Sequence, residues 1–345
     1  MGHTIDLKNY SLRTDIIFDV ITEEMEKQLS LEKEQIGDIC VEEIIIDEQL
    51  SKTIGKKPGF YKSISFCDVT DKENYLNVQK VFMKTFKTIL DDCNIKEDDS
   101  CLIVGLGNKK STPDSLGPEV LTHLLITRHL FSLGEVEQGY RSTSLIEPSV
   151  TGVTGIETYD TVEGVVKNTK PDFIVVIDAL ASSSISRVNK MIQFSSAGVE
   201  PGSGVFNNRM ELSKETLGVP VIVIGIPTVV DATTIVSDTF QLMTKQFKYK
   251  IDTKNSSLLK LVPLNKQNYL NHQEELNHEE KENLLGLIGT LSESEFKTLI
   301  HEVLTPVNYN LMVTPKEVDF VMEKFASLIG TGMNKVLHQN DKLTN

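Results

Sequence analysis

The stretch CLIVGLGNKKSTPDSLGP, Cys101 to Pro118, opens on an apolar run and closes on a helix start. Cys101 to Val104 is short, apolar and ended by Gly105, which predicts a buried strand. Pro118 fits the first turn of a helix, where its missing N–H costs nothing, and apolar residues follow at Leu121, Leu124, Leu125, Ile126 and Leu130. The same grammar recurs downstream. Phe173 to Ile177 is an unbroken apolar run, as in strands buried on both faces, and Val219 to Ile224 is another. Ahead of Phe173, Ile156, Tyr159, Val162 and Val166 predict a helix that Pro171 stops. Asp231 reads as the cap of a helix using Ile235, Val236, Phe240, Met243 and Phe247. Strands alternating with helices define an α/β fold, expected as a mostly parallel twisted central sheet flanked by helices, with extra β and loop insertions.

The flanks are less regular. Tyr10 to Asp15 (YSLRTD) reads as extended, Ile39 to Ile46 and Tyr61 to Phe66 as β-like, and Val78 to Leu90 as a helix. The pattern stops after Lys248 and resumes near Asn283, which predicts a polar insertion over 248–282. Ser292 with Glu295, and Thr314 with Pro315 and Glu317, read as two capping boxes. The tail beyond Gly330 is expected to fray.

A chain of 345 residues allows two domains or one enlarged α/β domain, and the strand pattern favours the second. Its 35 lysines and arginines against 49 acids, a formal charge of -14, argue against nucleic acid as a direct partner. With 39% apolar and 24% charged residues the composition is globular. The four cysteines, Cys40, Cys67, Cys93 and Cys101, match no metal or redox spacing and are expected as reduced thiols. Residues 1–15 have no signal-peptide character, and the longest apolar run, Val219 to Val230, is broken by Pro220, Gly225 and Pro227. A cytoplasmic protein without membrane contact is expected.

Ligands of open parallel sheets bind beyond the carboxyl ends of the strands, so the residues there are the candidates. Gly105 and Gly107 begin a dinucleotide fingerprint, but Lys110 stands where its third glycine belongs. Asp114 lies in a Pro-Asp-Ser turn and could be an ordinary turn residue. Asp178 follows five apolar strand residues, where a carboxylate must be paired, hydrogen-bonded or functional. If both acids face one crevice, repulsion splits their titrations, and one can deprotonate water while its protonated partner polarises a carbonyl. His123 with His129, and His272 with His278, lack the spacing of a helical zinc pair. Ser182 to Ser184 lack a nucleophile elbow, and Cys101 sits inside a strand. A non-catalytic module holding a nucleotide or peptide on the glycine loop is the rival reading.

GLGNKKSTPDSLGP, VIDALA and GIPTVVDA together resemble the germination proteases of spore-forming bacteria, which degrade small acid-soluble spore proteins. GVTGIETYD at Gly152, PGSGV at Pro201, HEVLTP at His301 and LMVTPKEVD at Leu311 extend the resemblance to about Gly332. The resemblance implies that Asp114 and Asp178 are the two catalytic acids of a self-processing endopeptidase made as a zymogen. It implies a propeptide of residues 1–15, with processing at the Asp15–Ile16 bond, a protease domain over 16–330 and a tail over 331–345. Substrates would be cut after an acidic residue and before a bulky apolar one. Location in the developing spore core and a homotetramer are also implied. Gly105, Gly107 and Asn108 are expected to shape the adjacent loop, with backbone N–H groups available to an oxyanion. Arg141, Arg187 and Arg209 are candidates for an acid-binding pocket. A related fold is implied in the hydrogenase maturation proteases, which bind a metal through two acids and a histidine. No third ligand is evident in this sequence, so no cofactor is expected; a metal-dependent endopeptidase is the alternative.

Overall fold

The structure, a computed structural model, describes residues 14–21, 25, 29, 31–134, 136–202, 210–253, 274–304 and 311–338. The chain forms two compact units. The larger takes the described residues of 13–182, 186–229 and 314–345, and the smaller those of 183–185 and 230–313.

The larger unit is built on a sheet of β1 (Glu32–Ile36), β2 (Ile39–Ile46), β3 (Gly59–Ser65), β4 (Cys101–Gly105), β5 (Thr143–Ile146), β6 (Phe173–Ser182), β7 (Met191–Ser195) and β8 (Val221–Asp231). Their spatial order is β1-β2-β3-β7-β8-β6-β4-β5. β4 pairs parallel with β5 and β6. On the other side, β1 through β3, β7 and β8 pair antiparallel in succession. The expected α/β class, a central sheet flanked by helices, therefore holds, and the parallel arrangement gathers around β4. The added antiparallel strands start with a two-residue hairpin between Ile36 and Ile39, where Gly37 has φ +61°, the left-handed conformation such turns require.

One face of the sheet is covered by the helices Lys72–Asp92, Leu116–Leu121 and Val318–Leu337. With no tryptophan in the chain, stacked phenylalanines fill this core. The rings of Phe82, Phe86 and Phe194 lie 5.5 to 6.5 Å apart. Each fully buried side chain of this size contributes about 1.5–3 kcal/mol. Tyr159, Val162 and Val166 of the helix Thr158–Thr169 cover Leu102, Val104, Ile174 and Val176 on the opposite face. A third cluster encloses Ile16, Ile17 and Phe18 among Ile44, Ile46, Tyr61, Leu180 and Met191.

Several local expectations change. The helix after Pro118 stops at Leu121 and a second one runs over Arg128–Leu133. Asn334 explains the break: its side chain accepts from the Leu125 N–H at 2.9 Å and donates to the His123 carbonyl at 2.8 Å, giving that backbone partners outside a helix. Thr314 caps no helix; its hydroxyl donates to the Thr228 carbonyl, and the C-terminal helix begins only at Val318. That helix does not fray at Gly330. It continues to Leu337, because Met333 and Leu337 are buried in the core.

In the smaller unit, Asp231 caps the helix Ala232–Thr253 by accepting from the Thr233 N–H at 2.7 Å, as its sequence position predicts. Val230 and Asp231 pair antiparallel with β9 (Met312–Val313). Phe240 of that helix packs on Phe296 of the helix Glu293–Leu304, with centroids 4.5 Å apart. Ser292 and Glu295 form the expected box: the Ser292 N–H donates to the Glu295 carboxylate at 2.8 Å, and the Glu295 N–H donates to the Ser292 hydroxyl at 3.3 Å. Of the expected polar insertion, 248–253 is helix and the helix His278–Leu285 occupies its end, while 254–273 lie outside the described residues. Tyr10 to Arg13 and residues 339–345 lie outside them as well.

Candidate active site

The glycine loop is shaped by backbone packed against backbone. The Leu106 N–H donates to the Ile177 carbonyl at 2.8 Å, which carries the β4–β6 ladder into the loop and brings it alongside Asp178. A Cβ on Gly105 would lie 2.7 Å from the Gly117 carbonyl oxygen, and one on Gly117 would lie 2.2 Å from that of Leu106. Gly107 has φ +116°, and a Cβ there would sit 2.0 Å from the Asp114 carbonyl oxygen. Only glycines allow this loop to close on the Thr112–Asp114 turn.

Hydrogen bonds then fix that turn. The Asn108 N–H donates to the Asp114 carbonyl at 2.8 Å, the Asp114 N–H to the Ser111 carbonyl at 2.8 Å, and the Thr228 hydroxyl to the Pro113 carbonyl at 2.6 Å. Gly105, Gly107 and Asn108 thus position Asp114. The N–H of Asn108 is engaged there, which changes the expectation that it serves an oxyanion.

Asp178 lies inside β6, which continues to Ser182 instead of ending at the acid as the apolar run suggested. The extension is long because residues past 178 still gain partners, including Asp15. The Asp178 carboxylate accepts from the Ala179 N–H at 2.9 Å. Burial, then the charges of Asp114 and Asp15, push its carboxyl well above the ordinary range. Burial raises Asp114 to about 6, opposed by the Asn108 N–H. The two acids are thus brought into one electrostatic neighbourhood, with Asp15 as a third member.

Asp15 is held along β6. Its N–H donates to the Ala181 carbonyl at 2.9 Å, and the Ala181 N–H donates to an Asp15 carboxylate oxygen at 2.8 Å. The Gln193 amide reaches across Ile16, donating to the Asp15 carbonyl at 3.1 Å and accepting from the Ile17 N–H at 2.9 Å. Ile16 and Ile17 are fully buried. The Lys56 ammonium donates to the Thr14 carbonyl; burial lowers its pKa, opposed by the charges of Asp15 and Asp19. Beyond Ile17, Arg187 pairs with Asp19 at 2.9 Å and donates to the Phe18 carbonyl at 3.0 Å.

Of the two arginine candidates among the described residues, Arg187 adjoins this segment and Arg141 does not. Arg141 is buried near the amino ends of β4 and β6, donating to the Asp99 carbonyl at 2.6 Å with its guanidinium 5.1 Å from the Phe173 ring centre. Arg209 lies outside the described residues. Lys56, Ala181 and Gln193 went unnoticed in the sequence. Gln193 did carry a signal, as the one amide in the otherwise apolar run Met191 to Phe194, because a buried amide demands partners. Cys101 is excluded as a nucleophile, since burial pushes its thiol up to about 12. Among the described residues no group of three or more His, Cys, Asp or Glu side chains could hold a metal ion, so no described histidine joins the two acids in an acid–acid–histidine donor set. No described helix is long and apolar enough to cross a membrane.

Comparison with known proteins agrees with the motifs. The germination protease family model matches residues 15–345. A germination protease of Bacillus mycoides (strain KBAB4) is 44% identical, covering 98% of this chain and 96% of its own. One from Geobacillus sp. (strain WCH70) is also 44% identical, covering 98% and 97%. Among solved structures, a NiFe hydrogenase maturation protease from Thermococcus kodakarensis KOD1 matches 38% of this chain and 74% of its own, at 20% identity and TM-score 0.25. The chain is therefore that of a peptidase, a hydrolase of peptide bonds. The chain belongs to the germination protease family.

Proposed function

We propose that the chain is a self-processing endopeptidase whose Asp114 and Asp178 activate water, first on its own Asp15–Ile16 bond and then on small acid-soluble spore proteins in the spore core. Residues 1–15 are then a propeptide. The observation that carries this reading is the docking of Asp15 on β6 through Ala181, with its charge acting on Asp178.

The roles follow from the two environments. Asp114, raised to about 6, ionises first, and its charge then holds the proton on Asp178. The Asp114 carboxylate takes a proton from water as the water oxygen bonds to the Asp15 carbonyl carbon. Asp178 gives its proton to the carbonyl oxygen, and a neutral tetrahedral diol results. Collapse breaks the C–N bond. The Ile16 nitrogen takes the proton from Asp114, one diol hydroxyl returns a proton to Asp178, and a carboxylic acid and an amine leave.

Specificity has supports of its own. The acidic side chain before the bond meets the Ala181 N–H and the field of Lys56, and Ile16 behind the bond fills an apolar enclosure. N-terminal sequencing of the processed chain, beside Asp114→Asn and Asp178→Asn variants, tests the proposal. Ile16 as first residue in the parent and no processing in either variant is expected; another first residue, or full processing in a variant, rejects it.

A further inference from the structure

The Gln193 side chain sits on β7, buried at 5% exposure, and makes two hydrogen bonds that fix its orientation without ambiguity. A carbonyl oxygen can only accept and a backbone N–H can only donate. The nitrogen of the Gln193 amide must therefore face the Asp15 carbonyl, at 3.1 Å, and its oxygen the Ile17 N–H, at 2.9 Å. The amide thus spans Ile16 and grips the peptide on both sides of one residue, with its donor on the carbonyl of the Asp15–Ile16 bond. β7 lies between β3 and β8, paired Gln193 to Ser63 and Gln193 to Gly225, so the backbone carrying this amide is fixed on both edges.

We propose that Gln193 is a further catalytic residue: its side-chain N–H is the oxyanion donor of the reaction, and its side-chain oxygen sets the register of the bond to be cut. This rests on the reading of Asp15–Ile16 as the scissile bond. As water adds to the Asp15 carbonyl carbon, negative charge grows on the oxygen that Gln193 already contacts, so the hydrogen bond strengthens on the way to the transition state. The oxygen has two lone pairs, one for Gln193 and one for the protonated acid. Gln193 neither gains nor loses a proton. Asn108, whose N–H is engaged on Asp114, does not compete for the role. The same grip would hold any peptide bound in this register, with an N–H two residues after the acid.

The test uses the full chain and its first-order rate of self-processing, followed by intact mass. Gln193→Glu keeps an acceptor for the Ile17 N–H and removes the donor; Gln193→Leu removes both. We expect the rate constant to fall by roughly 10²–10³-fold in each, as for loss of one oxyanion donor. In Gln193→Glu limited proteolysis should cut the segment 14–21 no faster than in the parent, whereas a purely structural role would loosen it. Folded variants processing within threefold of the parent overturn the proposal. If neither variant folds, the uncleaved Asp178→Asn chain decides: slow exchange of the Gln193 side-chain amide protons supports the contact, and solvent-like exchange overturns it. Cleavage of the parent at a bond other than Asp15–Ile16 defeats the underlying function instead, and sequencing separates the two failures.

Discussion

Asp15 and Ala181 exchange hydrogen bonds: the Asp15 N–H donates to the Ala181 carbonyl at 2.9 Å, and the Ala181 N–H donates to the Asp15 carboxylate at 2.8 Å. The first is a strand-like contact that any residue could make. The second reads the side chain, and it comes from the strand that carries Asp178. A segment held by its own acid beside a carboxyl whose pKa is raised lies where the proposed reaction needs its substrate.

Both acids should be indispensable. Asp114→Asn and Asp178→Asn are expected to slow self-processing by at least 10²–10⁴-fold, the range of a positioned acid or base. An intact-mass time course measures it.

The same substitutions should stabilise the fold at neutral pH. The folded-state pKa of each acid is raised above its ordinary value, so the stability contributed by the protonated form is fully present below about 3.8 and is lost as pH rises. For Asp114 the loss runs to about 6. At about 1.4 kcal/mol per pKa unit, reduced by partial solvent access, its removal adds on the order of 1–3 kcal/mol at pH 7 and little at pH 4. Denaturant melts at the two pH values check the sign. A variant less stable than the parent at pH 7 would contradict it.

The processing rate should fall on the acid side with an apparent pKa of about 6, where Asp114 takes up a proton. Asp15→Asn removes one of the charges that raise Asp178. It should shift the alkaline limb to lower pH, because the lone proton on the pair is held less tightly. A pH–rate profile of both chains reads this directly.

Lys56→Met should slow processing by roughly tenfold or more, and much less so in an Asp15→Asn background. The coupling arises because the ammonium stabilises the acid before the bond. Additive effects in the double-mutant cycle would remove Lys56 from recognition.

Gly107→Ala should cost more than about 2 kcal/mol and cripple processing. Its Cβ would meet the Asp114 carbonyl oxygen at 2.0 Å, from a backbone conformation that side chains rarely adopt. Thermal melting with an activity assay distinguishes this from a tolerated change.

The parts of the fold written in local apolar runs were readable. Cys101 to Val104 and Phe173 to Ile177 announced β4 and β6, and Asp231 announced its helix, because burial and capping are short-range properties. Strand direction was not readable, since an apolar run looks the same in either sense, and β7 carried no turn signal to reveal its antiparallel partners. The continuation of β6 to Ser182 was hidden as well, because it depends on Asp15, more than 160 residues away in sequence. At the site, Asp178 stood out as an acid directly after an apolar run, and Asp114 only as an acid in the turn beyond the first strand. Gln193 and Lys56 did not, since their roles exist only once residues 14–18 are laid against the sheet.

The most direct measurement of the central claim is the mass and N-terminal sequence of the full chain during self-processing, run beside Asp178→Asn. The account predicts a single cut that leaves Ile16 as the first residue in the parent, and an intact chain in the variant. A different first residue, or the same cut made at the parental rate by Asp178→Asn, would contradict it.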